Sequence, residues 1–507
     1  MPRSMVKDGV WLLVGAVLSF SYAPHLWWPV MFVVLIAAMR TGATTSTEFA
    51  RRGFFLGVGC FTPMLYWAWL AAGPGYPFLV LYTALWWAGL FFLMHEFALR
   101  PARLTSPFAA AAIWTVGEFI RGHYPYGGFT WGDPGYALIG LAPARHLASW
   151  GGIHAVTFLL VGSAVAMAQL LDPWKRPPAR RLMSTAWRMP LVWCLSIWVA
   201  SGVVSADGTT PVGSLTVGLV QGNDFNRDLS GAEQSRLLPQ RHLELAADFT
   251  RLDDLDLIIF PESSFGGRDP RDDAALTPQV ADLARNLDAY VLTNSTLSAD
   301  ADAPRYNTNI LFDPQGRPAG VYTKQHLVPF GEYIPFRSIL EKVVPQVSQV
   351  PVDFRPGAGS DIFDIGPTPI GNLICFESAF GRDARDRARQ GAQVLVVSTN
   401  NRSFGNTSNA AQHVAMSRMR AAETGRAVVH SAISGISAVI DPAGLVTQQT
   451  PLLQAATLKA TVPARAGETP YVRFGPWMVV LSGVIIGAHI WLDKVRPRVS
   501  ASAGERP

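Results

Sequence analysis

The sequence is poor in charged residues. They make up 16% of its 507 residues, whereas 49% are hydrophobic. Soluble domains carry roughly 25% charged residues, so part of this chain must be solvated by something other than water. The net charge is only +5, and no basic run resembles a nucleic-acid patch, so nucleic acid is not expected as a partner.

Cysteine is also scarce: the chain has only Cys60, Cys194 and Cys375. The first two lie within apolar runs, so the polar second half, with Cys375 alone, is expected to have no internal disulfide. A lone thiol in an oxidising compartment is a candidate reactive group. The chain has no CxxC pair, and its ten histidines are scattered without metal-ligand spacing, so no metal site is predicted.

The sequence is instead rich in long apolar runs. Eight are long enough to cross a bilayer. They cover 9–23, 25–40, 54–72, 77–98, 107–121, 152–171, 189–205 and 473–492. Polar and proline residues at 21–25 separate the first two runs and predict a tight hairpin. Glu118 and Arg121 lie at the end of the fifth run, where such charges either pair with each other or extend to the membrane interface.

The distribution of Lys and Arg predicts a topology. These residues gather at both chain ends and in the connections after the second, fourth and sixth runs, where the densest group is Lys175, Arg176, Arg180 and Arg181. The positive-inside rule then places both termini in the cytoplasm. The predicted domains are a seven-helix transmembrane region at 1–205, an extracytoplasmic domain at 206–471, and a last helix with a cytoplasmic tail at 472–507.

The region 206–471 alternates strand-length apolar runs with helical patterns. The predicted strands are Leu215–Val220, Leu255–Phe260, Ala289–Thr293, Asn309–Asp313, Leu373–Phe376, Val394–Ser398, Val428–Ala432 and Ser437–Ile440. The predicted helices are Ala232–Leu255, Pro278–Leu287, Arg382–Gln390 and Ala410–Thr424. This alternation favours an α/β domain with helices outside the sheets. Glu262, Cys375 and Asn400 are predicted at strand ends, where ligands bind in such folds, so they are expected to share one cleft.

Three polar residues of this region suggest acyl-transfer chemistry, and each has an ordinary structural alternative. Cys375 is either a nucleophilic thiol or a buried structural cysteine. Glu262 is either a general base with a raised pKa or a capping or surface carboxylate. Lys324 is either a fixed cation that faces an oxyanion or a solvated loop lysine. Glu332 and Glu377 either orient Lys324 and shape the thiol's surroundings or are structural carboxylates.

Together these segments resemble a known superfamily. Pro261-Glu262-Ser263, Tyr322-Thr323-Lys324 and Ile374-Cys375-Phe376-Glu377 are similar to the nitrilase, or carbon–nitrogen hydrolase, superfamily, in which Glu, Lys and Cys occur in this order. Residues 326–335 and Thr399-Asn400-Asn401 resemble, more narrowly, the apolipoprotein N-acyltransferases, and this similarity covers nearly the whole chain. The resemblance implies an α+β multidomain membrane protein, in which an eight-helix transmembrane bundle carries an αββα sandwich.

The resemblance also implies roles and partners. Glu262 is the implied base, Lys324 the oxyanion-stabilising lysine, and Cys375 the nucleophile that carries an acyl chain as a thioester. The implied donor is a membrane phospholipid, and the implied acceptor is the N-terminal amine of S-diacylglyceryl-cysteine on an apolipoprotein. No cofactor is required. A monomer in the bacterial inner membrane, with its catalytic domain on the periplasmic face, is expected.

Four aromatic residues are expected at the lipid entrance: Phe330, Tyr333, Phe376 and Phe404. Packing in the domain core is the alternative for such side chains. Two other functions remain open. A membrane-tethered amidase or nitrilase would use the same three groups with water as the acyl acceptor. A non-catalytic lipid- or lipoprotein-binding scaffold would keep its function in a Cys375→Ala variant.

Overall fold

The computed structural model describes residues 3–40, 45–100, 104–171, 188–205, 207–224, 231–300, 302–342, 350–359 and 361–503. The chain forms two compact units. The helical unit comprises Met1–Tyr66, Pro74–Ala206 and Phe474–Pro507, and the sheet unit comprises Trp67–Gly73 and Asp207–Arg473. The basic group Lys175, Arg176, Arg180 and Arg181 lies outside the described residues.

The α-helices follow in chain order. They are α1 (Arg3–Leu18), α2 (Trp28–Met39), α3 (Ser46–Met64), α4 (Trp67–Ala72), α5 (Gly75–Met94), α6 (Ser106–Arg121), α7 (Ala142–Leu171), α8 (Met189–Val203), α9 (Gly231–Ala246), α10 (Leu276–Leu287), α11 (Arg337–Leu340), α12 (Gly381–Arg389), α13 (Asn409–Thr424), α14 (Pro470–Phe474) and α15 (Trp477–Ala503). The predicted hairpin is present, because a 3-10 turn at Ser19–Ser21 separates α1 from α2.

Two helices of the described chain are long and apolar enough to cross a membrane, Gly75–Leu99 and Ala142–Leu171. Trp28–Met39, Met189–Val203 and Trp477–Asp493 are shorter apolar helices. The number of eight spans therefore stays a prediction.

One predicted run is not a single helix. The prediction of one span over 54–72 is wrong, because α3 ends at Met64 and the separate helix α4 belongs to the sheet unit. Pro63 lies in the last turn of α3. Proline lacks the N–H needed for an intrahelical hydrogen bond, and its ring clashes with the preceding turn, so it weakens this last turn of the helix.

The buried charges of α6 are paired. The guanidinium of Arg121 binds the carboxylate of Glu118, and both side chains are about 1% exposed. Arg121 also donates to the carbonyl oxygens of Phe129, at 2.8 Å, and Trp131, at 2.7 Å. Pairing, rather than extension to an interface, is thus observed. The arginine also ties the following loop to the end of its helix.

The sheet unit contains two six-stranded sheets. Its strands are β1 (Thr209–Gln221), β2 (Leu257–Ile259), β3 (Tyr290–Leu297), β4 (Tyr306–Phe312), β5 (Pro318–Thr323), β6 (Ile362–Ile365), β7 (Thr368–Ile374), β8 (Val394–Thr399), β9 (Ala427–Ala432), β10 (Ala438–Ile440), β11 (Val446–Gln449) and β12 (Ala456–Gly467). The first sheet has the order β12-β1-β2-β3-β4-β5, and the second has the order β11-β10-β9-β8-β7-β6. Strands β1, β2 and β3 run parallel, as do β7, β8 and β9.

Three apolar layers hold this unit together. The central layer joins the sheets, with Val217 and Ile259 on one side and Val396 and Val429 on the other. A second layer packs α9 and α10 on the outer face of the first sheet, and a third packs α12 and α13 on the second sheet. The arrangement is the predicted αββα sandwich, since each sheet buries one face on its partner and the other under helices.

Candidate active site

Three strand ends bring the predicted reacting groups together. Glu262 follows β2, Lys324 follows β5, and Cys375 follows β7 of the other sheet. The Nζ atom of Lys324 lies 3.6 Å from Oε1 of Glu262, and the Cys375 thiol is close enough to both groups that their charges shift its pKa. Both charged side chains are at least nine-tenths buried. The structure therefore places an amine, a carboxylate and a thiol in one enclosed cluster.

The backbone turns sharply at Cys375. Strand β7 ends at Ile374, and Cys375 begins a 3-10 turn that continues to Ala379. The prediction that this strand runs on to Phe376 is therefore wrong. Cys375 has a φ of +49°, in the left-handed region, so it cannot continue the strand. Such a residue costs about 1–3 kcal/mol and persists only where its surroundings hold it in place.

Burial controls the protonation of the cluster. It raises the pKa of the Cys375 thiol to about 12; the Glu262 carboxylate acts in the same direction, and Lys324 opposes both. Burial likewise raises the pKa of Glu262, against the lowering effect of Lys324. Burial lowers the pKa of Lys324, but the carboxylates of Glu332 and Glu262 outweigh it, and the net pKa is raised. The resting cluster therefore contains a protonated thiol and an ammonium ion.

Glu332 holds the lysine in place. Its Oε1 accepts a hydrogen bond from Lys324 Nζ at 2.9 Å, and its Oε2 accepts one from the backbone N–H of Val328 at 2.7 Å. Asn307 Nδ2 donates both to Glu262 Oε1, at 2.6 Å, and to Glu332 Oε1, at 3.2 Å. One amide thus links the two carboxylates that flank the ammonium group.

Glu377 joins the Lys324 loop to the Cys375 turn. Its buried carboxylate accepts hydrogen bonds from the backbone N–H groups of Gln325, His326 and Ile374, at 2.8, 3.1 and 2.7 Å. The hydroxyl of Tyr322 donates to the same carboxylate at 2.8 Å. Glu377 therefore fixes the two chain segments that carry the amine and the thiol.

Asn400 contacts the cluster through its main chain. Its backbone N–H donates to Oε2 of Glu262 at 2.7 Å, while its side-chain oxygen accepts from the N–H of Arg402 at 3.0 Å. Glu262 is thus held on one oxygen by Asn307 and on the other by this N–H. The side chain of Asn400 serves the turn rather than the cluster.

The four aromatic residues predicted at the entrance have different surroundings. Phe330 is 54% exposed, whereas Phe376 is 8% exposed and packs on Phe380 with a ring separation of 4.9 Å. Tyr333 is half-buried, and its carbonyl accepts from the N–H of Phe330 at 2.7 Å. Phe404 is also half-buried and stands edge-on to Trp67, with ring centroids 5.0 Å apart. Of the four, Phe330 is the most exposed.

Sequence reasoning missed two amide residues behind the carboxylates, Asn307 and Asn309. Asn307, already placed between Glu262 and Glu332, lies on β4 with Asn309, and Asn294 Nδ2 donates to both, at 3.0 and 2.9 Å. The oxygen of Asn294 accepts from the N–H of Ser263, next to Glu262, at 2.7 Å. The pattern Asn307-Thr308-Asn309 was the available signal, because residues two apart share one face of a strand. Among the described residues, no group of three His, Cys, Asp or Glu side chains is arranged to hold a metal ion.

Comparisons with known proteins agree with this architecture. The profile of the carbon-nitrogen hydrolases matches residues 216–471, and the profile of the apolipoprotein N-acyltransferase N-terminal domain matches residues 14–166. The apolipoprotein N-acyltransferase of Bradyrhizobium diazoefficiens is 31% identical, over 96% of this chain and 94% of its own length. The chain belongs to the apolipoprotein N-acyltransferase family.

Other proteins are also similar to this chain. The apolipoprotein N-acyltransferase of Geobacter metallireducens is 28% identical, over 94% of each chain. Among solved structures, Nit3 of Saccharomyces cerevisiae, a member of branch 10 of the nitrilase superfamily, is 17% identical with a TM-score of 0.39. That match covers 50% of this chain and 91% of Nit3.

Proposed function

We propose that this protein transfers an acyl chain from a membrane phospholipid to the N-terminal amine of S-diacylglyceryl-cysteine on apolipoproteins. The observation that carries the proposal is the buried cluster of Cys375, Glu262 and Lys324, in which Lys324 Nζ lies 3.6 Å from the Glu262 carboxylate. Family membership supports the acceptor, since the relatives are named for it. The cluster itself suits acyl transfer through a thioester.

The first half-reaction loads the enzyme. Glu262 takes the proton of Cys375 as the sulfur attacks the carbonyl carbon of the phospholipid ester. The carbonyl electron pair moves to oxygen, where the ammonium of Lys324, with backbone N–H groups, stabilises the negative charge. The carbon–oxygen bond then breaks, and the leaving alkoxide receives the proton held by Glu262. The products are a lysophospholipid and a thioester on Cys375.

In the second half-reaction, the acyl chain leaves Cys375 for the lipoprotein amine. The α-amine of the lipoprotein cysteine attacks the thioester carbon and gives up a proton to Glu262. The carbon–sulfur bond breaks, and the thiolate recovers its proton from Glu262. An amide has then formed and the free thiol is restored, so no cofactor is consumed. Water must be kept from the thioester between these steps, which gives an apolar entrance formed by Phe330, Tyr333, Phe376 and Phe404 a purpose.

The proposed location follows from the apolar runs and the basic connections. Eight spans in the bacterial inner membrane hold residues 1–205 and 472–507, with both termini cytoplasmic and residues 206–471 on the periplasmic face. The apolar helices Gly75–Leu99 and Ala142–Leu171 support the membrane assignment. The protein is proposed to act as a monomer, with Glu332, Glu377 and the Asn400 backbone supporting the three reacting groups.

Mass spectrometry of the intact protein tests the proposal. The protein is incubated with mixed detergent micelles that contain phosphatidylethanolamine and phosphatidylglycerol, and a diacylglyceryl-cysteine peptide is then added. We expect an acyl adduct on Cys375 that disappears as the peptide gains one N-linked chain. An adduct lost equally fast without peptide would show a hydrolase. A folded protein that never becomes acylated, while Cys375→Ala retains function, would support the scaffold alternative.

A further inference from the structure

A buried histidine lies directly behind the nucleophile. His413, on α13, is 1% exposed, and its Nε2 lies 3.1 Å from the carbonyl oxygen of Cys375. The same nitrogen lies 2.7 Å from Oγ of Ser378, whose hydroxyl donates to that carbonyl at 2.8 Å. The two side chains therefore hold the backbone oxygen of the residue with the left-handed conformation.

The contacts determine which nitrogen of His413 carries the proton. A carbonyl oxygen only accepts hydrogen bonds, so Nε2 must be the protonated nitrogen. The other nitrogen, Nδ1, faces the hydroxyl of Thr399 at 3.3 Å and the amide Nδ2 of Asn401 at 3.4 Å, and both of these groups can donate. Burial also lowers the pKa of His413 to about 4. His413 is therefore a neutral donor toward Cys375 and has no vacant nitrogen with which to accept the thiol proton.

The held carbonyl belongs to a planar peptide. In a trans peptide, the C=O of one residue and the N–H of the next point in opposite directions. When His413 and Ser378 fix the carbonyl of Cys375 on one side, they fix the direction of the Phe376 N–H on the other. That N–H follows the nucleophile directly, so its direction governs how the backbone meets the oxyanion on the tetrahedral carbon bonded to the sulfur.

We propose that His413 is a positioning residue for acyl transfer, which orients the Cys375–Phe376 peptide through its hydrogen bond to the Cys375 carbonyl. The inference rests on the proposed function, because it concerns the oxyanion formed during acylation. It extends the cluster of Glu262, Lys324 and Cys375 to a group that touches neither substrate nor thiol proton.

Two reactions of the same thiol test this role in the full-length protein. Alkylation by iodoacetamide needs a deprotonated sulfur but forms no oxyanion, whereas acylation by phospholipid needs both. In His413→Leu we expect acylation of Cys375 to fall about 10- to 100-fold, which approaches the loss on removing one oxyanion donor. Alkylation is expected to stay within about threefold of the unsubstituted protein. In His413→Gln, whose amide nitrogen can donate in place of Nε2, acylation is expected to recover substantially.

His430→Gln is the matched control. Its ring stands edge-on to His413 with centroids 4.9 Å apart, and its Nδ1 bonds to Ser417 at 2.9 Å. We expect this variant to change thermal stability while the ratio of acylation to alkylation stays unchanged. If His413→Leu lowered acylation and alkylation equally, or lowered neither, the positioning role of His413 would be overturned. The proposed function would not be affected. Failure of the unsubstituted protein to become acylated would instead count against the proposed function.

Discussion

At the scale of single residues, the balance of charge around Glu262 decides when the thiol can react. Burial and the Glu332 carboxylate both raise the pKa of Glu262, and Lys324 lowers it. In the proposed mechanism, Glu262 accepts the thiol proton only when it is ionised. The reaction should therefore fail as the pH falls through a Glu262 pKa that lies above the usual glutamate value.

Neutralising Glu332 and neutralising Lys324 should move the acid limit of the reaction in opposite directions. Glu332→Gln removes a like charge, so the Glu262 pKa should fall and the limit should shift to lower pH. Lys324→Met removes the opposite charge, so the limit should shift to higher pH. The measurement is the rate of Cys375 alkylation by iodoacetamide against pH, which remains readable when acylation is lost. Shifts in the same direction would contradict the assigned charges.

Glu377 should matter for stability as well as for activity. In Glu377→Gln, an amide NH₂ replaces one acceptor oxygen among the N–H groups of Gln325, His326 and Ile374. Each buried group that loses its partner costs about 1–3 kcal/mol, so the melting temperature should fall measurably. Glu244→Gln, at an exposed position of α9, is the control and should leave the melting temperature nearly unchanged. Equal melting temperatures in the two variants would contradict the structural role of Glu377.

The sequence predicted the proposed reacting residues and the supports Glu332, Glu377 and Asn400, but not the amides and the histidine behind them. Glu262, Lys324 and Cys375 stand out because a reactive side chain follows a strand or lies in a recognisable loop. Asn307 and His413 lie inside a strand and a helix, where a polar residue is usually assigned to the surface. Their burial follows from the packing of two sheets and a helix that are distant in sequence. No local pattern contains that information, apart from the repeated asparagines of β4.

At the scale of elements, the central strands were predictable and the outer ones were not. Strands β2, β8 and β9 are fully buried, so their residues form continuous apolar runs. Four strands were missed, β5, β6, β11 and β12, and all of them lie at or next to a sheet edge. Such strands contact the core on one face at most, so their sequences mix polar and apolar residues and give a weak signal.

Close packing beneath the nucleophile strand gives an element-level prediction. A Cβ atom on Gly371 of β7 would lie 2.7 Å from Cβ of Arg387 on α12 and 2.9 Å from Leu395. Gly371→Ala should therefore push α12 from the sheet and lower the free energy of unfolding by about 1–3 kcal/mol. The control is Gly213→Ala, where a Cβ meets nothing within 4 Å. Chemical denaturation in detergent should separate the two variants; equal stabilities would contradict the packing.

At the scale of the whole molecule, the proposed topology can be read by labelling. In a background in which Cys60, Cys194 and Cys375 are all replaced, Leu252→Cys should react with a membrane-impermeant maleimide in intact spheroplasts, since Leu252 is 95% exposed in the proposed periplasmic domain. Arg100→Cys lies in a proposed cytoplasmic connection and should react only after permeabilisation. Labelling of position 100 from outside would reverse the orientation.

The pairing of the first strand with the last has a consequence for how such a protein could arise. Strand β1 runs antiparallel to β12, with Thr209 opposite Gly467, so the sheet unit begins and ends at neighbouring points. A domain whose ends meet can be inserted into a host chain without pulling the host apart. Residues 207–473 therefore have the chain geometry of an inserted domain. Because β1 pairs with β12, the first sheet is complete only after the ribosome has synthesised β12.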